Sequence, residues 1–344
     1  MYIVYDKNNK ICNAIDEEIN RRDKYYCPLC KSEVIFKKGS KIQSHFAHVK
    51  NSECSFENYK KESKEHLEVK KKLYQHFKNK YKNVQVEYIF KTNDSLQIAD
   101  LYLADKNIAL EYQRSIIPYT LLADRTRGYL DAGIKLIWLI DVNKFVKEIK
   151  RNNDIVYIKY SPFVDNFLNY HKGAIFFYGF DRNRDEILFY QLWASSLKKH
   201  NAICKISSCK LSNFDLPLNF TFSSKNLTTK FYPTDIENYV YRQLKFDKTV
   251  KNKLLSLFYN QRIALNKIPK IIGLNLNEQL LLRSPLIMWQ GQMFKLYKQG
   301  KSYQEILKYM LNYITFIDTI YINDYEKLRI LKKIIDWYYT KLQN

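Results

Sequence analysis

Two isolated acids, Asp100 and Glu111, sit in short apolar runs, Ile98–Leu103 and Ile108–Gln113, joined by the polar connection Ala104–Asn107. Such runs read as strands buried on at least one face, and the link between them reads as a hairpin. A lone carboxylate in a buried run is costly unless a cation or hydrogen bonds compensate it. Two of them on neighbouring strands predict a metal site. Glu111 and Gln113 are two residues apart and so share a face of their strand.

A second set of candidate ligands precedes them. Cys27 and Cys30 form a CPLC, His45 and His48 an HFAH, and fourteen residues separate the pairs. Val34–Phe36 and Ile42 supply a small hairpin around Lys38-Gly39-Ser40. Thiolates and imidazoles on such a ribbon close a tetrahedral structural zinc site that replaces a missing core. Cys27 and Cys30 are the firmest ligands; His45, His48 and Cys54 compete for the other two positions, so four of these five bind zinc. The alternatives for CPLC are a redox pair or a plain turn, but the βαβ context of a thioredoxin-like motif is absent. Cys12, Cys204 and Cys209 read as packing residues.

The elements that must position the two acids follow from periodicity. Leu67, Lys70, Leu73, Tyr74 and Phe77 recur at helical spacing within Ser63–Lys80, and Ser63 can cap the start. Glu65 and His66 near that start either stand at the mouth of an active site or belong to a solvated charged face. His66 and Lys70 are four apart and share a face. Val84–Phe90 reads as a strand in which Val84, Val86 and Tyr88 alternate against Gln85 and Glu87. After Pro118 a helix spans Tyr119–Ala132 and stops at Gly133, with Arg125 and Tyr129 four apart on it. Lys135–Ile140 is a buried strand. The order is αβββαβ.

That order, with an Asp on one strand and E-x-Q on the next, resembles the PD-(D/E)xK nuclease superfamily, whose core is restriction-endonuclease-like. The resemblance implies that Asp100 and Glu111 hold Mg²⁺ or Mn²⁺ and that a bound water attacks phosphorus. It makes Asp100, Glu111 and Gln113 the catalytic set, with Glu65 and His66 as further candidates. The third position of that pattern is usually lysine. Gln113 brings no charge there, and Lys70, Arg114 or Arg125 are the residues to supply it and to contact nucleic acid.

The combination is narrower still. A CPLC and HFAH ribbon, a KES-x-x-H-L-x-x-K helix, ALEYQRS, a DRTRGY helix and IWLI resemble the competence protein CoiA family, specifically over residues 1–145 and more weakly beyond. The resemblance implies a protein of naturally transformable low-GC Gram-positive bacteria that acts on incoming DNA and promotes its recombination. A metal-dependent deoxyribonuclease is the first expectation. The other is a non-catalytic DNA-binding recombination mediator that retains the nuclease fold.

Composition agrees with a polyanionic partner. The 344 residues carry 57 Lys+Arg against 35 Asp+Glu, a formal net charge of +22. Each cation that neutralises a phosphate releases counterions, so DNA, single-stranded or in recombination intermediates, is the expected partner, together with recombination proteins. No leader-like segment and no apolar stretch of membrane-spanning length is present, and six cysteines in such a length do not make a disulfide framework, so a cytoplasmic location is expected. The absence of G-x-x-x-x-G-K-[ST] and G-x-S-x-G motifs argues against a nucleotide-driven motor and a serine hydrolase.

Beyond residue 145 the pattern turns to short strands, Ile155–Tyr160, Ala174–Tyr178, Glu186–Trp193 and Ala202–Leu211, dense in aromatics that read first as a buried sheet face and second as a single-strand stacking surface. From Thr234 onward the periods are helical, with Thr234/Glu237 and Ser302/Glu305 as capping boxes. The domains expected are 1–58, the zinc-ribbon-like element; 59–145, the αβββαβ core; 146–232, mixed and β-rich; and 233–344, helical. The fold class is α/β.

Overall fold

The apolar run near Tyr2–Tyr5 forms β1 (Ile3–Asp6), which pairs with β2 (Ile11–Asn13) across the turn at Lys7–Lys10. With β3 (Tyr25–Tyr26), β4 (Glu33–Lys37) and β5 (His45–His48) these make an antiparallel sheet in the order β2-β1-β3-β4-β5. The computed structural model describes residues 1–344 except 41–42, 50–53, 55–61, 94, 219, 223–229 and 250. Ile42 of the expected hairpin and the expected boundary at 58/59 lie outside the described residues.

Ser63 accepts a hydrogen bond from the His66 N–H and starts α1 (Lys64–Lys78). Its apolar stripe, with Lys70 among the buried positions, packs on β6 (Val84–Lys91) and β7 (Leu96–Leu103). β8 (Ile108–Gln113) follows antiparallel to β7 and is buried at all its positions. α2 (Tyr119–Asp131) ends where Gly133 takes a φ of +68°, which an L side chain would strain. β9 (Lys135–Asp141) then pairs parallel with β8. The αβββαβ order is therefore observed. One expectation fails here: Glu87 does not alternate outward. It is 2% exposed, with a positive φ of 53° that interrupts the regular pleat of β6.

The chain divides into two compact units. The first is Met1–Lys144 with Gly179–Ile187 and Cys209–Asp215, so the residues expected as ribbon and core fall in one unit. The second is Phe145–Tyr178, Leu188–Ser208 and Leu216–Asn344. After the single-turn α3 (Val142–Phe145) come β10 (Val146–Asn152), a polar edge strand that periodicity misses, and β11 (Ile155–Tyr160). β12 (Asn169–His171), β13 (Ala174–Asp181), β14 (Glu186–Ser195) and β15 (Asn201–Lys210) complete the strands. The ends of β13 and β14 that lie in the first unit include Gly179 and Phe180, which pair parallel with Ile140 and Asp141 of β9.

Phe176, Phe177, Phe189, Tyr190 and Trp193 are buried, so the aromatic strands are core and not a stacking surface. Cys12 and Cys204 are buried as well, while Cys209 is half-buried.

The helices of the second unit are α4 (Pro233–Phe246), α5 (Lys253–Tyr259), α6 (Leu286–Lys298), α7 (Tyr303–Tyr313) and α8 (Asp324–Gln343). Ile236, Val240, Leu254, Phe258, Ile272, Leu286 and Ile287 form a shared core between α4, α5 and α6. Ser302/Glu305 is a capping box, and Asn323/Glu326 is another. Thr234/Glu237 is not, because Pro233 already occupies the first turn and moves the cap to Tyr232.

Candidate active site and metal centre

β7 and β8 pair as far as Leu101–Leu110. One step further along the same register stand Asp100 and Glu111. There the Tyr112 N–H donates to Asp100 Oδ2 at 3.0 Å, so a carboxylate takes the place of a strand partner. Asp100 Oδ1 meets two side chains of α1, His66 Nε2 at 3.1 Å and Lys70 Nζ at 3.2 Å. The i, i+4 spacing of His66 and Lys70 presents both to the same carboxylate. Burial opposes the charge on Asp100, but His66, Lys70 and the Tyr112 N–H outweigh it and hold the carboxyl well below its usual range.

Lys70 is 2% exposed and binds three acids. Besides Asp100 it lies 2.5 Å from Glu62 Oε1 and 3.1 Å from Glu87 Oε1. Burial disfavours its charge, yet Glu62, Glu87 and Asp100 together raise its pKa well above the ordinary lysine value. Glu87 also accepts from the N–H groups of Tyr2 and Ile3 at 2.8 and 3.1 Å, tying β1 to β6. Lys70, one of the residues expected to contact nucleic acid, is enclosed and directed at these three acids.

Glu111 is held from α2. Arg125 donates to its Oε2 at 2.8 Å and the Tyr129 hydroxyl to its Oε1. On the same helix, a Cβ added at Gly128 would meet the side-chain amide of Gln97 on β7, which would have to move. Burial pushes the Glu111 carboxyl up to about 7, with the Asp100 charge adding to the rise and Arg125 opposing it. Arg125 also lies over the Trp138 ring, 5.3 Å from its centre.

The remaining candidates separate. Gln113 is buried, and its amide donates to the Ser115 carbonyl. Glu65 pairs with Arg114 at 3.3 Å, and Arg114 also binds Asp141 at 3.1 Å and Ser63 Oγ at 3.2 Å. Of the two helix-mouth candidates, then, His66 reaches Asp100 and Glu65 joins the Arg114 network. Glu62 and Glu87 are the site acids that sequence reasoning missed. The KES-x-x-H spacing carried a signal for Glu62, since it stands four residues before His66, but nothing in the alternation of β6 marked Glu87.

Glu62, His66 and Asp100 each offer one ligand atom, and the three atoms lie within 4.8 Å of one another. Two carboxylates and an imidazole are a donor set for a divalent cation such as Mn²⁺ or Mg²⁺. Glu62 Oε2 is buried without a hydrogen-bond partner among the described residues, and the Met1 ammonium lies 3.8 Å from it.

The cysteine cluster is resolved by strand geometry. His45 and His48 are three apart on β5 and therefore point to opposite faces. Cys27, Cys30, His48 and Cys54 bring one ligand atom each within 4.8 Å of one another. His48 Nε2 is 3.3 Å from Cys30 Sγ, whereas His45 Nδ1 bonds the Gln43 carbonyl at 2.7 Å. Burial pushes the Cys27 thiol up to about 12; at Cys30, hydrogen bonds from Ser32 and His48 overcome burial and bring it down to about 6.

Among the described residues no helix is long and apolar enough to cross a membrane. Three family models match the chain in succession: Competence protein CoiA, N-terminal domain, over residues 11–57; nuclease-like domain, over 62–223; and C-terminal domain, over 227–308. The chain is also 23% identical over 276 residues to Competence protein CoiA of Bacillus subtilis (strain 168), covering 80% of this chain and 72% of that protein. No solved structure matches.

Proposed function

The chain belongs to the competence protein CoiA family, with a nuclease-like central domain and a role associated with competence, and from that premise we propose that it is a cytoplasmic, divalent-metal-dependent deoxyribonuclease of PD-(D/E)xK type. Its substrate is incoming DNA, single-stranded or in recombination intermediates, handled together with recombination proteins. The observation that carries this reading is the cluster of Glu62, His66 and Asp100 beside the buried Lys70.

Glu62, His66 and Asp100 would hold the cation, and Glu111 lies one strand away as a further carboxylate. A bound divalent cation supplies a low-pKa water and polarises the phosphoryl oxygen. Lys70 provides the fixed positive charge that Gln113 lacks, 3.2 Å from Asp100, and offsets negative charge as it develops at phosphorus. Arg125 neutralises Glu111 and keeps it from repelling the substrate. The net charge of +22 draws the polyanion.

Purified protein is expected to cut single- or double-stranded DNA with Mn²⁺ or Mg²⁺ and to stop when the metal is omitted. Intact DNA under both metals would sink the catalytic reading. It would favour the second one, a DNA-binding recombination mediator, for which the engagement of Glu111 by Arg125 and Tyr129 and of Gln113 by Ser115 speaks. That protein would bind DNA in a salt-sensitive way without metal.

The N-terminal cluster reads as a structural zinc site of Cys27, Cys30, His48 and Cys54 on a zinc-ribbon-like element. About one zinc per chain is expected by metal analysis, with Cys54→Ser losing it as fully as Cys27→Ser, and His45→Ala keeping it. Retention of zinc by Cys54→Ser, or its loss from His45→Ala, would refute this ligand set.

A further inference from the structure

The second unit contains a cleft of about 740 Å³. The turn between β14 and β15 contributes Lys198 and Lys199, and α4 contributes Tyr239, Arg242 and Phe246. Positions 239, 242 and 246 are three and four apart, so they form one stripe along α4 facing the cleft. The two acids lining it are already engaged: Asp165 by His200 at 3.0 Å and Asp318 by Arg283 at 2.6 Å. Lys198, Lys199 and Arg242 are exposed, and among the described residues none of them makes an ion pair. The cleft is therefore positively charged.

Phe246 is the second part of the argument. It is 86% exposed at the end of α4, on the rim of the same cleft. A bare phenyl ring beside unpaired cations is poorly suited to an acidic protein surface, which would satisfy the charges and leave the ring in water. Both are used together by a single strand, whose phosphates take the cations and whose unstacked bases cover the ring. A duplex offers no free base face. Its stacked pairs would leave Phe246 bare.

We infer that this cleft is a binding site for single-stranded nucleic acid, with phosphates on Lys198, Lys199 and Arg242 and a base stacked on Phe246. It is built wholly from the second unit, and its chemistry requires no metal. It therefore stands whether or not the acidic centre around Asp100 hydrolyses DNA.

The test is fluorescence anisotropy of the full chain with a labelled oligothymidylate, over a series of salt concentrations and without added divalent metal. The triple variant Lys198→Glu/Lys199→Glu/Arg242→Glu is expected to bind at least about tenfold more weakly and to lower the salt slope by about two. Phe246→Ala is expected to lose about tenfold while keeping the wild-type slope, a combination that general charge loss cannot give. The altered side chains are exposed, so melting temperatures should match the wild type. Unchanged binding by both variants would overturn the assignment. So would polyglutamate displacing the oligonucleotide as effectively as unlabelled oligothymidylate does, since that would make the cleft a generic polyanion surface.

Discussion

Lys70→Met should cost about 3–5 kcal/mol of folding stability, the scale for removing one partner from a buried ion network. Metal-dependent cleavage should fall with it. The size follows from position: Lys70 is 2% exposed and is the shared counter-ion of Glu62, Glu87 and Asp100. Methionine preserves the stem but leaves the three carboxylates to repel one another in a poorly solvated space. Denaturant melts would measure the loss. A change under about 1 kcal/mol would mean that the acids are protonated or hydrated once the lysine is gone, and the network would then not be the centre of this unit. The functional half of the claim needs a separate arm, because an unfolded variant is inactive for trivial reasons. Lys70→Met/Gln113→Lys restores a cation at the position where the superfamily pattern carries lysine. Partial return of cleavage in the double variant, with none in Gln113→Lys alone beyond wild type, is the expected result. No return, in a double variant shown to be folded at the assay temperature, would show that Lys70 does not replace the missing lysine.

The network also marks how much of the site was legible in the sequence. Asp100 and Glu111 were visible because an acid inside a buried run violates the pattern around it, and the αβββαβ order followed from periodicity alone. His66 and Lys70 were recognisable as neighbours because four-residue spacing on a helix fixes which side chains meet. Their joint target was not, since it depends on where α1 docks across the sheet. Glu87 was assigned to the wrong side because alternation assumes a regular pleat, and its positive φ breaks that pleat. Glu62 precedes the cap of α1, so its four-residue spacing to His66 was the sole hint of it. Its role comes from Lys70 and His66 reaching back toward it.

The ribbon illustrates a related limit. Spacing offered five ligands for four places, and nothing in spacing alone removes His45. The strand geometry of β5 separates the two imidazoles, because residues three apart face opposite sides, and it is His48 that lies with the three cysteines. In the second unit, the dense aromatics of β13 and β14 read first as a buried sheet face, and they are buried. The ring that is exposed beside cations, Phe246, sits at a helix end that aromatic density does not flag.

Asp100→Asn is the sharpest probe of the chemistry, and its cleavage rate is expected to fall at least about a thousandfold, equivalent to about 4 kcal/mol of transition-state stabilisation. The substitution keeps shape and can still accept from the Tyr112 N–H. Lys70 retains Glu62 and Glu87, so the fold should hold. What disappears is the charge that joins Glu62 and His66 in the three-donor cluster. A readout independent of turnover follows from linkage: a cation bound only by the folded state at a hundred times its Kd stabilises by about 2.7 kcal/mol. Mn²⁺ should therefore raise the melting temperature of the wild type. That increment should be lost in Asp100→Asn and Glu62→Gln and kept in Glu65→Gln, whose carboxylate pairs with Arg114. If Glu65→Gln lost the increment and Glu62→Gln kept it, the donor set would be wrong. If Glu111→Gln alone abolished it, the ion would lie between Asp100 and Glu111, and Arg125 would have to release Glu111 before metal could bind.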